Sequence, residues 1–406
     1  MIVLQKKSVN NFIMKFKVFE AFAGIGSQRK ALETLSELIE NFDFEIVATS
    51  EWDCFANISY NAMKNKKDKS KKSLEEKIDY LSNFIHSLDS KESIDIQKIV
   101  KKGDRFVSLL YESYVSNNNL GNITKITGRN LIGIAENIDV ITYSFPCQDL
   151  SSASSLHHPS QGMTKGSGSR SSLLWEVERI LIELNALDIK PKFLILENVT
   201  NILSPEHIEN YKKWLEELKK LNYCTQTYIL SSEDFGIPQK RKRVIALSVY
   251  EGSKINFIDT FKEREKSNLE LREKIISEAK ALKEEYDRLT YFPKKDLNKI
   301  LKTNYKNSKY NHEVIDSIPR RTSSRIKMYE NNPLLFSECK TERDIYKHKN
   351  KKSQFKENCA ILSATLTTKQ DRHPNAGIIS VLDKNGRPNI SLKNINWIYK
   401  MHYRFL

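Results

Sequence analysis

Four short segments bring together residue types that can do chemistry. The first is Ser144-Phe145-Pro146-Cys147-Gln148-Asp149-Leu150-Ser151, a polar stretch with a cysteine directly after a proline. A cysteine is by default a small buried hydrophobe, but one in a polar loop can ionise and act as a nucleophile. The second, Leu196-Glu197-Asn198-Val199, sets a carboxylate at the end of an apolar run. A carboxylate near a thiol can serve as its acid–base partner; a lone Glu at a strand end is otherwise a surface or capping residue. The third is Phe19-Glu20-Ala21-Phe22-Ala23-Gly24-Ile25-Gly26-Ser27, with two glycines between a strand and a helix. Glycine allows a sharp turn there and lets a ligand approach the helix start, although many such turns need glycine for geometry alone. The fourth is Glu51-Trp52, at the end of the next strand. A carboxylate in that place can accept both ribose hydroxyls of an adenosine, and an indole offers its face or edge to the base.

The glycine turn carries no phosphate-gripping lysine and lacks the third glycine of a dinucleotide site. An adenosyl cofactor without a pyrophosphate, S-adenosylmethionine, fits it better, and a nicotinamide-dependent oxidoreductase is excluded.

Alternating strands and helices must position these segments. Strands are expected at Lys17–Phe22, Glu45–Ser50, Ile138–Tyr143, Phe193–Leu196 and Val244–Val249. A helix from Gln28 should present Ala31, Leu32, Leu35 and Ile39 on one face. A second, between Ser171 and Ala186, should present Leu173, Leu174, Val177, Ile180, Leu181 and Leu184. The alternation implies an α/β fold with a doubly wound, mostly parallel sheet, whose ligands bind at the carboxyl ends of the strands. Residues 61–120 interrupt it with Lys64, Lys66, Lys67, Lys69, Lys71 and Lys72 before turning helical, and read as a solvated insertion. Beyond 254 the character changes: a charged helix over about 262–289 leads into a polar stretch bearing Tyr and Arg.

The chain has 406 residues and a net charge of +15, from 66 Lys and Arg against 51 Asp and Glu. That excess suits a polyanion such as nucleic acid, and equally a lysine-rich surface that is merely solvated. Five cysteines without zinc-type spacing argue against a disulfide framework or a metal site. No apolar run approaches membrane-spanning length, so a cytoplasmic protein is expected.

Gln239-Lys240-Arg241-Lys242-Arg243 completes a pattern. In order, FxGxG, PCQ, ENV and QxRxR resemble the motif set of the DNA cytosine-5 methyltransferases. The resemblance covers residues 17 to about 250, and VFEAFAGIGSQRKALE, TYSFPCQDLS and LLWEVERIL are similar to the bacterial branch that includes CpG-modifying enzymes. It implies that the Cys147 thiolate adds to carbon 6 of a flipped-out cytosine, while Glu197 holds N3 and the exocyclic amine. Arg243 would contact the base oxygen O2, and Arg241 would support the site. Phe22, Gly24, Ile25, Gly26, Glu51, Trp52, Asn122, Ile123, Pro146 and Leu173 would line the S-adenosylmethionine site. Asn122 stands where the family usually has Asp facing the adenine amine, which implies weaker cofactor binding, and Ser172 replaces a common glycine. Gln148, Ser151, Gln239, Arg320, Arg321 and Arg325 would meet double-stranded DNA, and the loop Asp149 to Arg170 would close over the flipped base.

On the same grounds residues 1–254 form the catalytic domain, 255–360 a smaller, irregular target-recognition domain, and 361–406 a return segment. The sequence stops at Tyr403-Arg404-Phe405-Leu406, where relatives continue into a TPxE segment and a GNS-type motif. A truncated gene or a second polypeptide supplying that piece would account for this. The implied setting is a restriction-modification system, whose endonuclease would not bind stably. A transfer RNA cytosine methyltransferase of the same fold is the alternative within the family.

Overall fold

The computed structural model describes residues 14–64, 72–134, 136–147, 149–150, 162–235, 237 and 241–251, with Glu273, Ile276, Ser277 and Ala281. The chain divides into two compact units, residues 1–229 with 243–283 and residues 230–242 with 284–406. The domain limits expected at 254 and 360, and the charged helix apart from those last four positions, lie outside the described residues.

Among the described residues six strands form one sheet: β1 (Met14–Ala21), β2 (Phe42–Ser50), β3 (Val140–Tyr143), β4 (Phe193–Val199), β5 (Tyr223–Ser231) and β6 (Lys242–Tyr250). Their order is β2-β1-β3-β4-β6-β5. The first four are mutually parallel, and β6 runs antiparallel to β4. Central β3, Val-Ile-Thr-Tyr, is buried at every position, as a strand covered on both faces must be. On one face, Phe19, Ala21, Ile141, Tyr143, Leu194 and Leu196 pack with helix α7 (Leu174–Ala186) and helix α8 (Ile208–Lys220). Glu20, between Phe19 and Ala21, points to the other face because strand side chains alternate. There it accepts the Arg29 N–H of helix α1 (Ser27–Leu38) and the Tyr60 hydroxyl of helix α2 (Cys54–Lys64). Helices thus cover both faces, and the doubly wound α/β fold expected from the sequence is present.

Differences from expectation have physical reasons. Helix α1 forms, but none of its residues is buried: Leu32 and Leu35 are half-covered, Ala31 is exposed, and Ile39 lies past its end. The α7 stripe behaves as expected, with Leu174, Val177, Ile180, Leu181 and Leu184 buried; Leu173 sits in the 3₁₀ turn before it. The segment after Lys72 is not merely solvated. Helices α3 (Leu74–Ser82), α4 (Ile96–Val100) and α5 (Asp104–Ser116) join α2 around their own core of Cys54, Leu81, Ile99, Val107, Leu110, Tyr111 and Tyr114. The chain leaving α5 then runs along β2: Thr49 N–H donates to Asn118 O (3.4 Å) and Leu120 N–H to Thr49 O (2.9 Å). A short helix α6 (Gly128–Ile132) leads into β3. Lys66, Lys67, Lys69 and Lys71 lie outside the described residues.

Candidate active site

Strand register sets the site. Ala21 lies beside Ser50 on one side and Tyr143 on the other, and Tyr143 lies beside Leu196. The residues that follow, Phe22, Glu51, Ser144 and Glu197, therefore stand in one row at the carboxyl edge of the sheet. The winding reverses between β1 and β3, which is where an open α/β sheet forms its ligand crevice.

On the β1–β2 side of that crevice, Phe22, Gly24 and Gly26 all have positive φ, of 55°, 54° and 85°. The two glycines do different things. A Cβ on Gly26 would lie 2.7 Å from the Tyr60 ring, so glycine there serves packing. Among the described residues a Cβ on Gly24 would meet only Phe22 O, at 4.0 Å, so none of them crowds its backbone against a ligand. Gly24 N–H donates to Glu51 Oε2 (2.9 Å) and Asp53 N–H to Oε1 (2.8 Å). Burial still dominates and pushes the Glu51 carboxyl up to about 7 against the lowering effect of those N–H groups. A carboxylate with one oxygen on the open Gly24 N–H and the other on Asp53 N–H has lone pairs that can accept the hydroxyls of a ribose.

The Glu51 backbone is fixed by two buried amides. Asn119 accepts from Glu51 N–H (3.1 Å) and from Gly121 N–H (3.0 Å), and donates to Glu51 O (2.9 Å) and Asn57 Oδ1 (2.7 Å). Asn57 in turn donates to Glu51 O (2.9 Å) and Asp53 O (3.0 Å).

On the β3–β4 side, Cys147 is half-buried in the loop after β3. The backbone around it is held from several directions. Asn198 Nδ2 donates to Phe145 O (3.1 Å), Ser171 Oγ to Pro146 O (2.7 Å), and Leu150 N–H to Cys147 O (3.0 Å). Ser171 N–H donates to Asp149 Oδ2 (3.2 Å), and Asn201 Nδ2 donates to Leu150 O. Glu197 has a donor on each carboxylate oxygen: Arg243 Nε on Oε1 (2.9 Å) and the Ser144 hydroxyl on Oε2 (2.6 Å). Antiparallel pairing explains the first, because Arg243 pairs with Val199 two residues beyond Glu197. The strand ends therefore set the Cys147 loop, the Glu197 carboxyl and the Arg243 guanidinium on the β3–β4 side of the switch point, and Glu51 with the open Gly24 backbone on the β1–β2 side.

Residues 73–393 match the model of a family described as C-5 cytosine-specific DNA methylase. The chain is 37% identical over 316 residues to the orphan methyltransferase M.SssI of Spiroplasma monobiae, covering 75% of this chain and 77% of that protein. It is also 37% identical over 260 residues to the type II methyltransferase M2.ScrFI of Lactococcus lactis subsp. cremoris, covering 63% of this chain and 65% of the relative. This chain belongs to the C-5 cytosine-specific DNA methylases. The enzyme class is therefore DNA cytosine-5 methyltransferase, and its cofactor is S-adenosylmethionine, which agrees with the acceptor that the Glu51 carboxylate offers.

Within this methylase, Phe22, Gly24, Ile25 and Gly26 follow β1, Glu51 and Trp52 follow β2, Pro146 and Cys147 follow β3, Glu197 lies near the end of β4, Arg243 near the start of β6, and Leu173 in the 3₁₀ turn before α7. Ile123 is buried in a 3₁₀ turn, Ile123–Lys125, capped by Asn122. The Asn122 oxygen accepts from both the N–H and the hydroxyl of Thr124 at 3.0 Å, so both lone pairs are in use. Arg241 belongs to the second unit, where its carbonyl accepts from Ser232 N–H (3.1 Å). Gln148, Ser151, Gln239, Arg320, Arg321 and Arg325 lie outside the described residues, as does the middle of the loop expected to close. Among the described residues no His, Cys, Asp and Glu cluster could hold a metal, and no helix is long and apolar enough to cross a membrane.

Sequence reasoning missed the residues that hold the site together. Asn57, Asn119 and Ser171 carry no motif signal. Gln28 and Ser144 sit inside quoted motifs but were given no role by type or spacing.

Proposed function

We propose that this methylase transfers the methyl group of S-adenosylmethionine to carbon 5 of a cytosine flipped out of double-stranded DNA, through a covalent adduct on Cys147. The observation that supports this most is the row at the sheet edge: Glu51 stands at one end of it, and Glu197, held by Arg243, stands at the other.

Glu51, Trp52, Phe22, Gly24, Ile25, Ile123, Pro146 and Leu173 would hold the cofactor, which supplies an electrophilic methyl group when bound, while the Asn122 oxygen, already engaged by Thr124, caps the Ile123 turn. Carbon 5 is a weak nucleophile, so the ring must first be activated. The Cys147 thiolate adds to carbon 6, and the electron pair of the 5,6 double bond moves into the ring. Glu197 donates a proton to N3 and accepts from the exocyclic amine, so that negative charge does not build up on the ring. Arg243 orients Glu197 and would contact the base oxygen. Carbon 5, now nucleophilic, would take the methyl group as its bond to the sulfonium sulfur breaks and a neutral thioether leaves; the carbon 5 proton then passes to solvent, and elimination restores the double bond and frees Cys147 as the thiolate. None of this is reachable within a stacked duplex, so the base must leave the helix.

Residues 255–360 would read the DNA sequence, with Arg320, Arg321 and Arg325 as candidate contacts to phosphates and bases. Similarity to a type II methyltransferase supports a place in a restriction-modification system.

The test is transfer of labelled methyl from S-adenosylmethionine to mixed-sequence duplex DNA, with Cys147→Ser alongside and the product base identified. Cysteine-dependent 5-methylcytosine is expected. Methyl on another atom, or full activity of Cys147→Ser, would overturn the proposal. Preference for transfer RNA over duplex DNA would overturn the substrate, and activity only with a second polypeptide present would establish a two-chain enzyme.

A further inference from the structure

Glu197 touches a line of side chains that leads to the cofactor loop. Gln28, two residues after Gly26 at the start of α1, donates from Nε2 to Ser144 Oγ (3.0 Å). Ser144 donates to Glu197 Oε2 (2.6 Å), and Arg243 Nε holds Oε1 (2.9 Å). A hydroxyl has a single proton to give. Because Ser144 accepts from Gln28, that proton is left for Glu197. The second atom of the Gln28 amide, Oε1, is buried and finds no hydrogen-bond partner among the described residues.

We infer that Gln28 and Ser144 are positioning residues that set the orientation of the Glu197 carboxyl and tie it to the cofactor-loop helix. The inference rests on the role proposed above for Glu197. A carboxyl that gives a proton to the base must be held in both its charged and its neutral form. Arg243 can only donate, so it suits the charged form. Ser144 can donate to a carboxylate or accept from a carboxylic acid. In the second case its own proton turns either to Glu197 O, 3.3 Å away, or to Gln28, whose amide rotates to present the unpartnered Oε1. The pair can therefore follow Glu197 through either state without moving the backbone. It also fastens α1, which begins at the cofactor turn, to the end of β3.

The experiment uses the full chain, labelled S-adenosylmethionine and mixed-sequence duplex DNA, with kcat and both KM values measured. Ser144→Ala is expected to lower kcat about 10- to 100-fold while both KM values stay within about twofold, as for loss of a buried hydrogen bond that acts in the transition state. Ser144→Thr, which keeps the hydroxyl, should recover kcat to within about threefold, an outcome that loss of packing alone would not produce. Gln28→Leu should cost about 3- to 10-fold and add almost nothing to Ser144→Ala, since the two act as one unit. Glu197→Gln separates the failures. If Glu197→Gln is inactive while Ser144→Ala keeps full kcat, the positioning role is overturned and the role of Glu197 stands. If Glu197→Gln keeps full kcat, both are overturned. Should Ser144→Ala fail to fold, Gln28→Leu and Ser144→Thr carry the test, and a wild-type kcat in Gln28→Leu refutes the pair.

Discussion

Replacing Gly26 by alanine tests how the cofactor turn is built. Two separate penalties are expected. Gly26 has φ of 85°, and a residue with a Cβ pays about 1–2 kcal/mol to adopt that left-handed conformation. The new Cβ would also lie 2.7 and 2.8 Å from two carbons of the Tyr60 ring. That ring cannot simply swing away, because its hydroxyl donates to buried Glu20 Oε2 (2.8 Å) and the Arg29 guanidinium lies over its face at 5.3 Å. Overpacking of this kind costs about 1–3 kcal/mol, so the whole loss should be about 2–5 kcal/mol. Urea unfolding followed by tryptophan fluorescence would measure it. Tyr60→Ala supplies the control: with the ring gone, Gly26→Ala should cost only the backbone share, about 1–2 kcal/mol. Equal losses in the two backgrounds would refute the contact, and a total under about 1 kcal/mol would refute both penalties.

Glu51 makes the protein pH-sensitive in a definite direction. Its carboxyl is raised from 4.5 to about 7, so its contribution to stability is fully present below 4.5 and is lost as pH rises through about 7. Glu51→Gln should therefore compare better with the parent in melting temperature at pH 8 than at pH 5; the reverse order would contradict the burial argument. Calorimetry should also show S-adenosylmethionine binding tightening from pH 6 to pH 8 in the parent, as the carboxylate becomes a full acceptor, but staying flat in Glu51→Gln. Asn119→Ala removes four hydrogen bonds around Glu51 and leaves buried N–H and C=O groups unmatched, so a loss of about 2–4 kcal/mol and weaker cofactor binding are expected in unfolding and binding assays. Ser171→Ala frees the Pro146 carbonyl, and should slow adduct formation on Cys147 by about tenfold with little change in cofactor affinity, measured by single-turnover trapping on 5-fluorocytosine DNA.

The positions of the residues proposed to carry the chemistry were legible because each sits at or just past a strand end, and strand ends can be read from apolar runs followed by glycine, proline or charge. Cys147, Glu197 and Glu51 all obey that rule. The sheet was legible for the same reason, down to the buried run of β3. Helix α8 and strand β5 were not assigned, although Ile208, Tyr211, Trp214, Leu215 and Leu218 are spaced as a helical face and are all buried. The site's supports were hidden for a different reason. Asn119, Ser144 and Ser171 act through side-chain hydrogen bonds to residues far away in sequence, and Asn57 works through Asn119; no periodicity marks such bonds. Asn119 lies 68 residues from Glu51 and Ser144 lies 53 from Glu197.

The segment after Lys72 shows what that blindness conceals. Its charge suggested a solvated insertion, yet its helices bury a core of their own and deliver Asn117 to Asn119 against the end of β2. Asn118 donates to Val47 O (2.9 Å), while Asn119 clasps both backbone groups of Glu51. β2 is the edge strand of the parallel sheet, so its carboxyl end has a neighbouring strand on one side only. An edge strand held on one side can shift, and a shift at Glu51 would spoil the geometry of the cofactor crevice. The helical lobe supplies the missing side. Its core holds the asparagines in place, and the asparagines in turn hold the carboxylate, so mutations in Leu110 or Tyr114 should reach the cofactor site without touching it.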